Sequence, residues 1–434
     1  MRTERRETWR FLRQPESPSS MRATTLLLEL LGLKQTRVVG FEFTTTELLV
    51  HIEPATRTPR CGRCGAGCFN GYDRRERRWR HLDIAGLQVV LLYGMRRVDC
   101  AECGVTTELV PWAEPASPFT RAFEELVAYF AQRTDKTTVS RTMGVTWRSV
   151  GNIIQRVVAR LGPKNELDGL TRIGIDELSV RKHHQYITVV TDHLTGNIVW
   201  AAPGKNVATL KSFFEALGAQ RAAKLEVVTI DMSAAYISAV ESMAPQARLV
   251  FDRFHVQRLA HDALDQVRRA EVRALKGTPE ANELKQTRFP LQKNPWNLTT
   301  LETEKVALVQ QRNQPLYRGY LLKETLAAIL DGRQVNVARR KLGEWIDWAA
   351  RSRLEPFAKA ARTISKHIEG ILGYVATRLS NGRVEGNNGK IRTITRRSYG
   401  FANPSSVIAL IQLCFSDIRL EPLRRYPNPT MAST

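Results

Sequence analysis

The chain has 434 residues, and 65 Lys and Arg stand against 43 Asp and Glu, a formal net charge of +22. That length suggests about three domains of ~150 residues, and so positive a charge calls for an acidic partner: DNA, RNA or an anionic membrane surface. No apolar run approaches the roughly 20 residues that cross a bilayer and no signal-like segment is found, which sets aside membrane residence and points to a cytoplasmic, nucleoid-associated setting.

Residues 1–20 form a polar, Arg-rich leader ending in PESPSS, expected to be disordered, with Met21 as an alternative start. Ala23 to Leu33 then reads as a short leucine-rich helix, and Thr36 to Ile52 alternates as two strands that pack on the next module. Two pairs, Cys61-Gly-Arg-Cys64 and Cys100-Ala-Glu-Cys103, are each followed directly by glycine, Gly65 and Gly104. Such knuckles present four thiolates to zinc at about 2.3 Å, the glycines allowing a turn that aims backbone amides at sulfur. Trp79 to Val98, between the pairs, reads as a β-hairpin, so the module resembles a zinc ribbon. Cys68 is a spare thiol or a competing ligand, and Cys414 a core residue of an apolar helix. Arg74, Arg75, Arg77, Arg78, Arg80, Arg96 and Arg97 crowd this module, and phosphate contact accounts for that density better than a solvated face does.

Pro111 to Pro118 is expected to be a rigid linker. Phe119 to Phe130 has helical periodicity, and Lys136 to Leu161 reads as a helix-turn-helix: Val139 packs inward, Gly144 makes the turn, Val145 fills the apolar turn position, and Thr146 caps a second helix carrying Val150, Ile153, Ile154 and Val157. The exposed early positions Trp147, Arg148, Ser149 and Asn152 would face the major groove. A plain helical hairpin is the competing reading.

Thr171 to Val180 alternates Ile173 and Ile175 with Gly174 and Asp176, a strand whose acid faces away from the apolar side. Tyr186 to Thr191 and Asn197 to Ala202 flank the turn Asp192 to Gly196 as a hairpin. Asn206 caps a helix with Val207, Leu210, Phe213, Phe214 and Leu217 on one face. Leu225 to Asp231 is a buried strand with a carboxylate at its tip, followed by a helix and a last strand, Arg248 to Asp252. Three antiparallel strands followed by crossover units are the order of a ribonuclease H-like sheet. There the first and fourth strands are neighbours, which brings Asp176 beside Asp231 in the crevice at the strand ends. Asp231 also has a plainer reading, as a helix cap.

Asp252 and His255 stand at the next strand-to-helix junction, near Asp231 or simply as a cap and a buried polar pair. From Thr278 to about Gly370 the pattern stays helical, broken at Pro290, Pro295 and Pro315, with Trp296, Trp345 and Trp348 expected in the core, and insertion against an unstacked base as the other reading. In Tyr374 to Arg397, helical spacing lines up Asn381, Glu385, Asn388 and Arg392, while Gly382, Gly386 and Gly389 form another face. Each glycine costs about 1 kcal/mol in a helix, so a DNA strand or the adjacent sheet is expected to approach that face closely; a Gly-Asn loop is the alternative.

Asp176 in GIDE, Asp231 in TIDMSAAY, Asp252 and His255 in LVFDRFHV and Glu385 in SNGRVEGNNGKIR follow the cysteine pairs and the helix-turn-helix in order. In this the chain resembles the ISL3 family of bacterial insertion-sequence transposases from Met21 to about residue 420. The resemblance implies an α/β fold: a ribonuclease H-like DDE catalytic domain with a helical insertion, preceded by a zinc ribbon and a helix-turn-helix domain. It implies Asp176, Asp231 and Glu385 as the catalytic triad and Asp252 to His255 as an accessory element. The domains expected are a leader (1–20), an N-terminal segment with zinc ribbon (21–112), a helix-turn-helix (113–166), the first part of the catalytic domain (167–275), the insertion (276–372), the catalytic completion (373–425) and a tail (426–434).

The residue types suit this chemistry. Phosphodiester cleavage in line is served by two Mg²⁺ (or Mn²⁺) ions about 4 Å apart, and three carboxylates offer hard oxygen ligands. Asp176 would bridge both ions, Asp231 hold one and Glu385 the other; water would attack at the element end and the freed 3′-hydroxyl would attack target DNA. His255 would orient the scissile phosphate. Asn388, Arg392, Arg396 and Arg397 are candidate DNA contacts beside the triad, and the absence of a GxxxxGK[ST] motif suits isoenergetic strand exchange. Terminal inverted repeats and target DNA are the expected partners, and pairing two ends calls for a homodimer or larger assembly. A DNA-binding transcription regulator and a structure-selective nuclease built on the same modules remain alternatives.

Overall fold

The computed structural model describes residues 22–181, 185–379, 382–397 and 404–421. The leader at 1–20, the tail at 426–434 and Asn381 lie outside them. Two compact units emerge: Met1–Arg133 with Val139–Val157 and Leu420–Thr434, and Thr134–Thr138 with Val158–Arg419.

In the first unit, helix α1 (Ala23–Leu31) stops at Gly32, whose φ of 60° suits glycine. Strands β1 (Thr36–Phe43), β2 (Glu47–Pro54), β3 (Asn70–Arg80), β4 (Gln88–Cys100) and β5 (Gly104–Thr107) form one sheet in the order β1-β2-β4-β3, with β5 beside β4. β2 runs parallel to β4, so the N-terminal strands and the hairpin of the cysteine module share a sheet. Its core holds Val50, Ile52, Trp79, Val89 and Leu91.

Pro111 to Pro118 is no linker. Trp112 is buried with its ring 5.6 Å from Trp79 and 5.5 Å from Tyr93, and Ala113 and Ser117 are buried too. Burying an indole contributes more than proline stiffness can direct, so the segment folds onto the sheet. Helix α2 (Arg121–Arg133) follows, then α3 (Lys136–Met143) and α4 (Trp147–Leu161). The boundary expected near residue 112 thus falls inside one unit. Glu124 of α2, fully buried, accepts from Ser117 Oγ and from Arg156 of α4, both at 2.7 Å.

The second unit opens with β6 (Arg172–Arg181), β7 (Gln185–Asp192) and β8 (Ile198–Pro203), then α5 (Val207–Leu217), α6 (Ala219–Ala222), β9 (Val227–Ile230), α7 (Ala234–Met243) and β10 (Arg248–Phe251). The sheet order is β10-β9-β6-β7-β8. β6, β7 and β8 are antiparallel neighbours, whereas β9 runs parallel to β6 and β10 to β9. Asn206 caps α5 through Thr209 N at 2.9 Å.

Helix α8 (Arg253–Ala274) leads into a helical stretch: α9 (Pro279–Gln286), α10 (Arg288–Gln292), α11 (Thr300–Arg312), α12 (Gln314–Asp331), α13 (Val335–Arg351), α14 (Glu355–Lys366) and α15 (Ile368–Thr377). Of the three tryptophans expected in its core only Trp345 is buried, donating Nε1–H to Leu322 O. Trp348 is on the surface and Trp296 is 73% exposed, because the single 3₁₀ turn Pro295–Asn297 has no buried face. α15 packs tightly on β10: a Cβ on Gly370 would meet the Phe251 ring at 2.4 Å.

Helices α16 (Gly382–Arg397) and α17 (Pro404–Phe415) cover the other face of the sheet. Ile173 and Ile175 belong to the core of α5, α7, α8 and the insertion, whereas Leu178, Ile187 and Ile198 pack with Ile391, Val407 and Ile411 of α16 and α17. The period of two along β6 therefore puts Asp176 on the face that α16 covers. Among the described residues no helix is long and apolar enough to cross a membrane.

Candidate active site and metal centres

Backbone register sets the acids together. Gly174 of β6 pairs with Thr229 of β9, and Asp176 and Asp231 each stand two residues further on, so Asp231, just past the end of β9, comes level with Asp176, which lies within β6 and not at its tip as expected. Asp231 accepts from Ser233 N at 2.9 Å, opening α7, so one of its oxygens does cap the turn. Capping uses one oxygen of two and leaves the carboxylate free to serve a site as well.

Asp176 is largely buried. Burial pushes its carboxyl pKa up and the Asp231 charge adds to the rise, while the Glu177 N–H (2.7 Å), His255 and Asn388 oppose it. Glu177 is also raised, by burial first and then by Asp231, and it hydrogen-bonds Tyr236, whose hydroxyl contacts Thr188 Oγ1 at 2.8 Å. Crowding anionic groups in a half-buried setting is unfavourable unless a cation offsets it. Hard oxygen donors in that arrangement fit Mg²⁺ or Mn²⁺.

Asp252 precedes α8 but makes no side-chain cap; its buried carboxylate faces His255 instead, Oδ2 to Nδ1 at 3.4 Å. That partner, more than any other, raises the His255 pKa, and the charges of Asp176 and Asp231 act in the same direction. His255 thus sits in the field of both acids as a cation-prone group.

Glu385 lies on α16, with its backbone one helical turn before Asn388; the placement of its side chain is outside the description, as is that of Arg397. Asn388 is buried, and its Nδ2 donates to Asp176 Oδ2 at 2.5 Å. It therefore contacts the acid, not solvent. Arg392 and Arg396 are exposed. A Cβ on Gly386 or Gly389 would meet open space, so of the two expected approaches, by a DNA strand or by the sheet, the sheet's does not occur at these glycines. Docking is carried by Ile391, Asn387 and Asn388, which point elsewhere on the helix.

In the first unit the Sγ atoms of Cys61, Cys64, Cys100 and Cys103 all lie within 4.8 Å of one another, with Cys64 and Cys100 at 3.6 Å. A tetrahedron of ~2.3 Å bonds spaces sulfurs about 3.8 Å apart, so the set fits zinc. Gly65 and Gly104 adopt φ of 75° and 67°, and Arg63 N–H points to Cys61 Sγ at 3.4 Å. The backbone amides of Cys64 and Arg63 lower the Cys61 thiol to about 6, favouring the thiolate that binds metal. Gly62 is pinned against Thr107, where a Cβ would lie 2.5 Å from the carbonyl oxygen. Cys68 is buried beside this set and Cys414 is half-buried on α17.

The arginines divide. Arg74, Arg75 and Arg78 are exposed along β3, Arg78 reaching Glu47 at 3.0 Å. Arg77 donates to Ser117 O and lies over Trp79, Arg80 pairs with Asp83, Arg97 with Asp73, and Arg96 with the buried Glu108 at 2.7 Å. Much of the arginine density therefore holds the module together. In the helix-turn-helix, Gly144 has φ of 62° and Thr146 Oγ1 accepts from Ser149 N at 3.1 Å. Val150, Ile153, Ile154 and Val157 are buried; Arg148 and Asn152 are exposed and Trp147 and Ser149 half-exposed.

A ribonuclease H-like sheet with two acids level on adjacent strands, in a chain that also carries a zinc ribbon and a helix-turn-helix, defines a DNA transposase of the DDE class. Comparison agrees over most of the chain. Residues 173–411 match the DDE transposase model of the ISL3 family, 108–158 the helix-turn-helix domain of transposase family ISL3, and 57–103 the zinc finger of transposases IS204/IS1001/IS1096/IS1165. The transposase of insertion sequence IS1557 from Mycobacterium tuberculosis is 36% identical over 95% of this chain and 100% of its own. That of IS1001 from Bordetella parapertussis is 27% identical over 85% and 91%. The chain belongs to the ISL3 family of transposases. It is a DNA-binding enzyme, and its domains call for a divalent cation and for zinc.

Proposed function

We propose that this transposase binds the terminal inverted repeats of its own insertion sequence and carries out strand cleavage and strand transfer at a site made by Asp176, Asp231 and Glu385. The observation that carries the reading is the strand register that sets Asp176 level with Asp231 on the face covered by the Glu385 helix. The three carboxylates would hold the divalent cation, which when bound makes water a stronger nucleophile and neutralises the leaving oxyanion.

The chain's own groups do the rest. Asp176, already in a desolvated setting, offers a fixed carboxylate whose orientation does not depend on solvent. His255, held towards its cationic form by Asp252, orients the scissile phosphate. Cleavage frees a 3′-hydroxyl at the element end; the same site then presents it to a target phosphodiester, one P–O bond forming as another breaks, so no nucleotide energy source is required.

DNA is held by Trp147, Arg148, Ser149 and Asn152 in the major groove, and by Arg74, Arg75 and Arg78 on phosphates. Arg392 and Arg396, exposed on α16, would contact the DNA backbone, and the open face at Gly386 and Gly389 gives that backbone room to approach. Cys61, Cys64, Cys100 and Cys103 hold zinc and keep the arginine strand in register. Two chains act together, one per end, in the cytoplasm at the nucleoid. The test is excision and insertion of a marked element, bounded by the sequences flanking the gene, in cells supplied with this protein. Movement with the intact protein and none with Asp176→Asn is expected; equal movement with both would end the proposal.

A further inference from the structure

Asn388 makes a contact that packing does not require. It is 4% exposed, its Nδ2 donates to Asp176 Oδ2, and its buried Oδ1 has no protein partner. A buried amide left half-satisfied costs more than an apolar residue of the same shape, so its retention needs a use. Holding α16 to the sheet is not that use. Ile391, one turn on, already packs with Leu178, Val407 and Ile411, and Asn387 fastens the same turn to Gly196 O at 2.9 Å.

We infer that Asn388 is a positioning residue, whose amide fixes the rotation of the Asp176 carboxylate against the Glu-bearing helix and so sets the affinity of the site for its divalent cation. One Asp176 oxygen is tied to the Glu177 N–H and the other to Asn388, which leaves the carboxylate no free rotation. Without the amide, Asp176 would have to be ordered each time a cation binds, and partners of this kind change metal affinity by about 10–100-fold. This inference rests on the proposed role of Asp176 as a metal ligand.

The test uses the full-length, zinc-loaded protein and its variants Asn388→Ala and Asn388→Leu, the second filling the space with an apolar side chain of similar size. Free Mn²⁺ measured by electron paramagnetic resonance gives the affinity without DNA. The Mg²⁺ midpoint for cutting end DNA is read in parallel. Both variants should bind Mn²⁺ about 10–100-fold more weakly, with the Mg²⁺ midpoint raised to match. Affinity within twofold of the unaltered protein in a folded variant overturns the inference. So does a collapse of thermal stability in both variants, which would make the amide a folding device. If the unaltered protein binds Mn²⁺ yet cuts no end DNA, the proposed function fails while the comparison of affinities still decides the role of Asn388; if it binds no Mn²⁺, both fall.

Discussion

Asp176 within β6 and Asp231 just past β9 stand level on adjacent parallel strands, and the charge of Asp231 helps to raise the pKa of Asp176. In metal-free protein that proximity is unfavourable, because Asp176 is half-buried and its pKa is already raised. Asp231→Asn removes the repulsion while keeping the cap on Ser233 N, since asparagine caps as well as aspartate. The variant should therefore melt about 2–4 °C higher without metal, the shift expected for ~1 kcal/mol in a unit of this size. It should also gain nothing from added Mg²⁺, as differential scanning calorimetry would show. A lower melting temperature would make Asp231 a structural cap first.

Zinc should be inseparable from the fold of the first unit. Cys100→Ser removes one of four sulfurs within 4.8 Å of one another, and the ion's contribution in small zinc modules reaches about 10 kcal/mol. Metal analysis should show zinc lost from the variant, with a red shift of tryptophan emission as Trp79 and Trp112 become hydrated. Cys68→Ser should keep its zinc, because Cys68 stands outside the four-sulfur set.

Acid should destabilise the same unit through His81. Its ring is buried between Thr120 Oγ1 and Leu31 O, and burial lowers its pKa from 6.5 to about 4. The unfolded chain takes up a proton as pH falls below 6.5 while the folded one does not, so stability is full above that pH and is lost between 6.5 and about 4. The loss is on the order of 3 kcal/mol at 1.36 kcal/mol per unit. Urea unfolding followed by tryptophan fluorescence should show about 2 kcal/mol of this loss between pH 7 and pH 5, and His81→Gln should flatten the difference.

DNA contacts should separate into two kinds. Arg148→Ala, on the exposed face of α4, should cost about 1–3 kcal/mol on the cognate end and little on unrelated DNA. Arg74→Ala and Arg75→Ala, on the exposed face of β3, should weaken both alike and lower the salt dependence by about one unit each. Titrations by fluorescence anisotropy at several salt concentrations distinguish the two patterns.

Local chemistry was readable from the chain. Thr146 and Asn206 cap as their residue types require, Gly65, Gly104 and Gly144 turn where a positive φ is needed, and the alternation in β6 separates Ile173 and Ile175 from Asp176. Tertiary choices were less so. Pro111 to Pro118 resembles a spacer until Trp112 finds Trp79, and the glycines of α16 resemble a packing face until the sheet proves to meet Ile391 and Asn388. The arginine run suggests one DNA surface, yet Arg77, Arg80, Arg96 and Arg97 have intramolecular partners that composition cannot reveal. Glu177 was missed as a member of the acidic site, and Asn388 was read as a DNA contact instead of a partner of Asp176, for a similar reason. Their partners lie on elements distant in sequence, and the only local signal was their place next to Asp176 and one turn beyond Glu385.

The most direct test of the central claim is cleavage and joining of labelled DNA carrying the gene's flanking ends, with Mg²⁺, by the full-length protein and by Asp231→Asn. The account predicts cuts at the ends followed by strand joining, both reduced by at least ~10²-fold in the variant while end binding survives. Binding without cutting by either protein, or equal cutting by both, would contradict it.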